Sequence, residues 1–578
     1  MPLGARALHS GMAATTASTG RVVAAALGLL VVGTIGAIQA ADAGGSFMFD
    51  LEQVTPALAR TEPVVPDAHT PRLARRVFLV IVDGLSLDHS YELPFLDELR
   101  RRGVDAEASS HYPTWSRPNY VSILTGVPPL ASGVRTNHHG TPVQLDSLMD
   151  RAHAAKLGVA SATDYDVLPR LFLRRRGDAR APIPPEAMDD AEAEPGSIEI
   201  DDAAAGVRAP DADLVSPFDD ARYAPWPGGF SEAGAAVAAG TAELVVLLVG
   251  AVDAAGHAHG AASEEYRIAS EGADRALARA LGRVDLTQDT IIVVADHGHT
   301  ARGGHGGIEP EVVAVPLIAA GAGIVPGATP RDARLIDVSP TVSTLLGMPA
   351  PGHGLGRTLV EILSLSPEDV TRRVAADNAR LTASTAIVAA AEARAAVAVL
   401  AHRAARFAIV GCAALLAIIV AVMLRRRRVL HFDLRVLLVT VPAFFIVYYA
   451  LIGLVGQHFS PSLLPAQGHL AGTLVRYGLA ATVVQLLANL WALRNKPTLA
   501  DRLASANGIA WVGLLLAMLP AGLAWAFYPP PYVTLPGPVW LVMIPAVEVA
   551  VACAAVTFAL TLAVEVVIFA SRAWQQRT

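Results

Sequence analysis

Residues 77–84 read VFLVIVDG, and this stretch decides the fold. Its run of six apolar residues predicts a strand that is buried on both faces, as in the parallel sheet of an α/β domain. The run ends at Asp83, and open α/β sheets bind their ligands at the carboxyl ends of such strands. We therefore expect Asp83 to mark the position of a site.

Two later apolar runs, residues 244–250 and 291–295, repeat this arrangement. Each leads to an aspartate and a histidine, and a further histidine follows in a glycine-rich loop: Asp253, His257, Asp296, His297 and His305. Because the carboxyl ends of parallel strands meet at one edge of a sheet, we expect these side chains to lie near Asp83. Carboxylates and imidazoles without a thiolate suit zinc, with manganese as the alternative, and a site with more than one such ion suits phosphoryl chemistry.

A candidate nucleophile lies between these segments, in residues 112–126, which read YPTWSRPNYVSILTG. A hydroxyl group that is ligated to a metal ion is partly deprotonated and nucleophilic at neutral pH. Ser116 is therefore predicted to be the catalytic residue. His259 and His299 flank the histidine motifs, and we expect them to be loop residues near the site and not ligands.

The composition indicates a membrane protein with a large polar domain. The chain has 578 residues, 53% of them hydrophobic, and a mean hydropathy of +0.43, which is too apolar for an ordinary soluble protein. The net charge is -7 and the basic residues lie mostly beside apolar spans, so no nucleic-acid binding is expected. Both cysteines, Cys412 and Cys553, lie in apolar spans, which leaves no cysteine-based metal site for the polar part.

The apolar run at residues 22–41 follows Arg6 and Arg21 and is typical of a signal-anchor helix. A cleaved signal peptide is the alternative, because Ala40 and Ala41 suit a peptidase. In either case the chain that follows is exported. The predicted segments are a cytoplasmic N-terminus (1–21), the anchor (22–41), a linker (42–76), an extracytoplasmic α/β domain (77–363) with an acidic Pro/Ala-rich insertion (174–229), a helical stalk (367–406), five membrane spans (407–570) and a cytoplasmic tail (571–578).

The distribution of basic residues predicts the orientation of these spans. Basic residues follow the second, fourth and sixth spans, whereas the loops at residues 457–469 and 528–538 contain no lysine or arginine. Basic loops stay on the cytoplasmic side of a membrane. We therefore expect both termini in the cytoplasm and the α/β domain outside the cell membrane.

Several motifs, in this order and spacing, resemble those of the alkaline phosphatase superfamily, and within it the type I phosphodiesterase/nucleotide pyrophosphatase branch. They are VFLVIVDG, PTWSRPNYVSILTG, SGVRTN, VDAAGHAHG, VVADHGHT and GGHGG. The resemblance covers residues 77–363 and implies a mostly parallel sheet flanked by helices. It also implies two zinc ions, one held by Asp83, Ser116, Asp296 and His297 and the other by Asp253, His257 and His305. Asn119 matches the asparagine that helps to bind a non-bridging phosphate oxygen in that branch.

The layout of an anchor, an external domain and several spans resembles that of the glycosylphosphatidylinositol ethanolamine phosphate transferases. The resemblance implies a membrane-anchored phosphodiesterase or phosphotransferase that acts on a phosphodiester, such as the head group of a lipid or glycolipid. A nucleotide pyrophosphatase is the first alternative. A sulfatase is disfavoured because Tyr120 occupies the position where the sulfatase maturation signal has arginine. The remaining alternative is a non-catalytic membrane scaffold, which would be expected to have lost ligands.

Overall fold

The computed structural model describes residues 4–175, 214–455, 459–463 and 470–575. Within these residues the strands are β1 (Arg76–Val82), β2 (Gly103–Ser109), β3 (Val159–Thr163), β4 (Arg174–Arg175), β5 (Leu214–Val215), β6 (Asp220–Tyr223), β7 (Leu244–Val249), β8 (Asp289–Val294) and β9 (Ala314–Gly321). The helices up to the middle of the chain are α1 (Gly4–Asp50), α2 (Leu87–Ser90), α3 (Pro94–Arg102), α4 (Ser116–Thr125), α5 (Pro129–Ser132), α6 (Leu148–Ala154), α7 (Val167–Leu171), α8 (Phe230–Ala239) and α9 (Ala251–His259). The later helices are α10 (Glu264–Leu281), α11 (Pro310–Val313), α12 (Val338–Leu345), α13 (Pro367–Ala401), α14 (Arg403–Arg426), α15 (Leu434–Ala450), α16 (Leu470–Leu493), α17 (Leu499–Phe527) and α18 (Pro538–Gln575).

Seven strands form one mixed sheet in the order β2-β9-β8-β1-β7-β3-β6. The central strand β1 pairs in parallel with β7 and β8, while β9 and β2 continue the sheet antiparallel at one edge. Every residue of β1, β7 and β8 is buried, as their apolar sequences predict. Helices pack against the sheet, with α8 against β3, α3 against β9 and α12 against β1. The predicted α/β fold class, with a mostly parallel sheet flanked by helices, is confirmed.

The register of the central strands brings their carboxyl ends together. Val82 of β1 is paired with Val249 of β7, and Ile81 is paired with Val294 of β8. The chain leaves all three strands at the same edge of the sheet. Asp83, Asp253 and Asp296 follow these strand ends within a few residues.

The acidic insertion at residues 174–229 is only partly within the described residues, since residues 176–213 lie outside them. Its described part contributes strands that the sequence pattern did not predict. Strand β6 pairs in parallel with β3 and extends the main sheet, although all four of its side chains are exposed. Strand β6 is therefore held by backbone hydrogen bonds. Such bonds do not require the alternation of apolar and polar residues by which a strand is predicted from sequence.

Among the described residues, six helical stretches are long and apolar enough to cross a membrane. They are Thr19–Asp50, Pro367–Arg426, Leu434–Val455, Leu470–Leu493, Leu499–Phe527 and Pro538–Arg572. The second stretch joins α13 and α14, and the buried Arg380 of α13 donates to the backbone oxygen atoms of Gly354 and Gly356 in the α/β domain. The orientation of these helices in a membrane stays a prediction.

Candidate active site

A tight turn at Gly84, just after β1, forms one part of the site. Gly84 has a φ of 72°, and its backbone nitrogen donates a hydrogen bond to Oδ1 of Asp296 at 3.1 Å. A Cβ atom at this position would lie 2.8 Å from Cα of Asp253, so only glycine allows the two backbones to approach this closely. The turn thus joins the ends of three strands at one point.

The first cluster of possible metal ligands contains Asp83, Asp296 and His297, whose ligand atoms all lie within 4.8 Å of one another. Nε2 of His297 lies 3.3 Å from Oδ1 of Asp83 and 3.4 Å from Oδ2 of Asp296. Oγ of Ser116 lies 3.2 Å from Nε2 of His297 and 3.4 Å from Oδ1 of Asp83. The structure therefore places the predicted nucleophile against this cluster.

The second cluster contains Asp253, His257, His299 and His305. Asp253 and His257 are one turn apart on α9 and so project from the same face of that helix. The carboxylate of Asp253 lies 3.4 Å from Nε2 of His257 and 3.5 Å from Nε2 of His305. All three residues that the sequence analysis assigned to a second ion are thus brought together.

His299 is a member of the second cluster that the sequence analysis placed only near the site. Its Nε2 atom lies 2.8 Å from Oδ1 of Asp253, and its side chain is buried. The alternation of histidine and glycine in residues 297–299 is a signal that could have found it, because alternate residues of an extended chain share a face. His259, by contrast, is exposed at the end of α9.

The two clusters adjoin. The rings of His297 and His305 are stacked with their centroids 3.7 Å apart, and Nε2 of His297 lies 3.8 Å from Oδ1 of Asp253. One continuous group of three carboxylates and four imidazoles therefore lies at the carboxyl ends of β1, β7 and β8.

The electrostatics of this group favour bound cations. Burial and the adjacent Asp83 raise the pKa of Asp296 well above its ordinary value. Burial would lower the pKa of His297, but the carboxylates of Asp296, Asp83 and Asp253 raise it to about 10. Oδ2 of Asp296 is buried and accepts no hydrogen bond. Because buried carboxylates at this separation need neutralisation, the donor set is suited to metal ions.

Burial lowers the pKa of both His299 and His305 well below the ordinary value of histidine. The positive charge on neighbouring histidines adds to this effect. Both imidazoles are therefore neutral at pH 7. A neutral imidazole carries the lone pair that a metal ion requires.

Tyr120, which occupies the position where the sulfatase maturation signal has arginine, is a further residue of the site whose role was not predicted. Its hydroxyl group donates a hydrogen bond to Oδ2 of Asp83, and neither the ring nor the hydroxyl is exposed to solvent. This bond leaves Oδ1 of Asp83 directed toward Ser116 and His297. Tyr120 therefore orients a predicted ligand.

Asn119 lies beneath the nucleophile loop and is fully buried. Its Nδ2 atom donates to the backbone oxygen atoms of His111, Pro113 and Trp115 at 3.1–3.2 Å. The backbone nitrogen of His111 donates in turn to its Oδ1 atom at 3.2 Å. These bonds fix the loop that precedes Ser116, and substrate binding by Asn119 stays a prediction.

Comparison with known proteins finds similar sequences over the part of the chain that contains this site. Residues 77–311 match the family model described as type I phosphodiesterase / nucleotide pyrophosphatase. GPI ethanolamine phosphate transferase 1 of Yarrowia lipolytica is 24% identical over 361 residues, which cover 56% of this chain and 37% of that protein. The catalytic subunit of human GPI ethanolamine phosphate transferase 3 is 34% identical over 118 residues, which cover 20% of this chain and 11% of that protein. The chain thus spans about a third or less of the length of these curated relatives.

Two solved structures are also similar. Murine ectonucleotide pyrophosphatase / phosphodiesterase 5 matches with a TM-score of 0.36 at 12% identity, over 48% of this chain and 96% of that chain. Wild-type alkaline phosphatase PafA matches with a TM-score of 0.36 at 13% identity, over 51% and 100%. The family match and the curated relatives confirm the predicted resemblance to the phosphodiesterase branch of the alkaline phosphatase superfamily, and they indicate an enzyme.

Proposed function

We propose that the chain is a membrane-anchored, metal-dependent phosphodiesterase or phosphotransferase with Ser116 as its nucleophile. Its substrate is a phosphodiester outside the cytoplasmic membrane, in the head group of a lipid or glycolipid. The observation that carries the proposal is the position of Ser116, whose Oγ atom lies within 3.4 Å of both Asp83 and His297. The absence of basic residues from the loops at 457–469 and 528–538 supports an external α/β domain.

The donor set would hold two zinc ions, or manganese ions in their place. Asp83, Asp296 and His297, with Oγ of Ser116, would hold one ion, and Asp253, His257, His299 and His305 would hold the other. Bound ions supply the positive charge that favours a serine alkoxide and neutralises charge on the phosphate oxygens. Asp83 and His297 lie beside the nucleophile, and the two sets of ligands meet at the stacked rings of His297 and His305.

The fold itself contributes to the reactivity of Ser116. Ser116 is the first residue of α4, and the N-terminus of a helix carries a partial positive charge. This charge favours the alkoxide over the hydroxyl and attracts a phosphate group. The hydrogen bonds from Asn119 hold residues 111–115, so that the nucleophile is presented in a fixed orientation.

The reaction proceeds in two steps. Oγ of Ser116 attacks phosphorus, forming a serine–phosphate bond while the bond from phosphorus to the first alcohol breaks, and that alcohol leaves with a proton. In the second step water or an acceptor alcohol attacks the same phosphorus and restores the serine hydroxyl. Water as the acceptor makes the protein a hydrolase, and an alcohol makes it a transferase.

The similarity to GPI ethanolamine phosphate transferases supports a lipid-linked or glycan-linked phosphodiester. A nucleotide pyrophosphatase is the second candidate, and the description of the matching family model favours it. A non-catalytic scaffold is disfavoured, because the chain has every predicted ligand and the nucleophile in one place.

The proposal is tested with two chromogenic substrates, bis-p-nitrophenyl phosphate and p-nitrophenyl phosphate. The detergent-purified protein is compared with Ser116→Ala and Ser116→Thr, each with and without a chelator. We expect metal-dependent release of p-nitrophenol from the diester, loss by roughly 1,000-fold or more in Ser116→Ala, and substantial retention in Ser116→Thr. Bound metal without turnover would favour a transferase that requires its own lipid donor, whereas neither metal nor turnover would overturn the proposal in favour of a scaffold.

A further inference from the structure

The loop that carries His305 contacts the membrane-spanning region, by which we mean the long apolar helices α1 and α14 to α18 and the segments that connect α14 to α18. Its residue Gly307 donates a backbone hydrogen bond to Oγ of Ser462 at 2.6 Å. Ser462 lies in the 3-10 turn Pro461–Leu463, between α15 and α16, and its side chain is buried. A residue between two predicted membrane spans is thus bonded to the backbone two residues from a predicted metal ligand.

A short network continues from this contact to His305. Oγ1 of Thr114 donates to the backbone oxygen of Gly307 at 2.9 Å and accepts from the backbone nitrogen of Gly306 at 2.8 Å. Nδ1 of His305 lies 2.7 Å from the backbone oxygen of Thr114, to which it donates its hydrogen. That bond fixes the tautomer and leaves Nε2 facing Asp253, the orientation required of a metal ligand.

The nucleophile loop and the segment after α5 make further contacts with the same region. The hydroxyl of Tyr112 donates to the backbone oxygen of Pro536 at 2.6 Å, and Nη1 of Arg135 donates to that of Tyr532 at 2.6 Å. Trp115, the residue before the nucleophile, belongs to one apolar cluster with Phe47 and Tyr532. Both sides of the site are therefore supported by segments that connect the long apolar helices.

The contact at Gly307 leaves no space for another residue. A Cβ atom there would lie 2.4 Å from Oε2 of Glu309, 2.5 Å from Oγ of Ser460 and 2.6 Å from Oγ of Ser462. Such distances are shorter than any ordinary van der Waals contact. Glycine at this position is thus what allows the loop to approach the membrane region so closely.

We propose that the membrane-spanning region is a structural part of the active site, with Ser462 as a positioning residue that holds His305 through Gly307 and Thr114. The inference rests on the proposed function only in that it takes His305 as a metal ligand. Loss of the Ser462 hydroxyl leaves a buried backbone N–H without a partner, which loosens the loop. The spans would then serve as more than an anchor.

Hydrogen exchange of the full-length, metal-free protein in detergent tests this inference without reference to activity. We expect Ser462→Ala to accelerate exchange at Gly307 by roughly 10-fold, the equivalent of one lost hydrogen bond, and to weaken zinc binding by roughly 10-fold or more. Ser462→Thr keeps the hydroxyl and restores both properties. Ser571→Ala is the matched control, because its exposed hydroxyl bonds only within α18 at Ile568, and it should change neither.

Thr114→Val breaks the same network from the α/β side and gives a second route if Ser462→Ala fails to fold. We expect Thr114→Val to weaken zinc binding to a similar extent. The variant with both substitutions should lose no more zinc affinity than the more strongly affected single variant. The inference would be overturned if zinc affinity were unchanged in both single variants. It would also be overturned if the losses in zinc-binding free energy of the two substitutions simply added in the double variant. If the wild type binds zinc but turns over no phosphodiester, the exchange and affinity results still decide the role of Ser462, so the two proposals fail separately.

Discussion

The hydroxyl group of Tyr120 donates a hydrogen bond to Oδ2 of Asp83 inside the α/β domain, where neither residue is accessible to solvent to more than 3%. The other oxygen of Asp83 faces Ser116 and His297. A single bond from a residue on α4 thus fixes the orientation of the carboxylate at the end of β1. Groups that orient ligands in this way govern the metal affinity of a site.

Tyr120→Phe removes this bond without changing the shape of the residue. We expect zinc affinity to fall by about 10- to 100-fold, measured by titration against a competing chelator, because the carboxylate of Asp83 is no longer held. Tyr448→Phe is the matched control, since its buried hydroxyl donates to the backbone oxygen of Ala546 at 3.0 Å and not to a predicted metal ligand. Equal zinc affinity in wild type and Tyr120→Phe would contradict the prediction.

The stability of the chelated protein should fall as the pH rises from 7 to 10. The neighbouring carboxylates raise the pKa of His297 to about 10 despite burial, so its stabilising charge is fully present below the ordinary value of about 6.5 and is lost as the pH rises through 10. The raised pKa of Asp296 acts in the same direction, because its stabilising proton is also lost on raising the pH. The expected loss is on the order of 2–4 kcal/mol.

Thermal unfolding at pH 7, 8, 9 and 10, with and without zinc, measures this effect. The zinc-loaded protein should show a much smaller change, because the ions replace the proton as the partner of the carboxylates. His297→Gln should reduce the pH dependence of the chelated protein to the part that Asp296 contributes. A chelated wild type that is equally stable at pH 7 and pH 10 would show that His297 is not the group that titrates.

Gly84→Ala tests the close approach of the backbones at the end of β1. Gly84 and Gly327 have nearly the same φ, 72° and 73°, but a Cβ atom at Gly84 would lie 2.8 Å from Cα of Asp253, whereas nothing lies within 4 Å at Gly327. In both alanine variants the left-handed backbone conformation should lower the free energy of unfolding by about 1–2 kcal/mol. Only Gly84→Ala should also lower the affinity for metal. The measurements are thermal unfolding and zinc titration. Comparable zinc affinity in the two variants would refute the role given to this turn.

The central sheet and most of the site could be predicted from the sequence because they follow from local patterns. Apolar runs identify β1, β7 and β8, and parallel strands deliver the residues at their ends to one edge. Asp253 and His305 therefore lie in one cluster and Asp83 in the adjoining one, although all three are far apart in the chain.

The features that were not predicted depend on contacts between distant residues. Strand β6 is held by backbone bonds to β3, and the bond from Tyr120 to Asp83 joins α4 to the residue after β1. Ser462 lies in a loop whose sequence gives no sign that it reaches Gly307. Such contacts are set by the tertiary arrangement, which neither hydrophobic period nor local propensity records.

A buried ion pair joins two of the long apolar helices. Nη1 of Arg502 on α17 lies 2.6 Å from Oε2 of Glu565 on α18, and the two side chains are only 4% and 0% exposed. Arg502 also donates to the backbone oxygen atoms of Arg494 and Lys496, which follow α16. Arg502, near the start of α17, therefore connects α18 with the segment that follows α16.

Glu565→Leu should destabilise the protein by about 3–5 kcal/mol, because it leaves the guanidinium group of Arg502 buried and unpaired. Denaturation in mixed detergent micelles measures the change. Arg502→Met combined with Glu565→Leu should recover part of the loss, but not all of it, since the two backbone acceptors also lose their donor. Lys496→Gln is the control, because the pair of Lys496 with Asp433 is partly exposed and should contribute less than about 1 kcal/mol. If Glu565→Leu and Lys496→Gln lower the free energy of unfolding by the same amount, the buried pair does not stabilise the contact between α17 and α18.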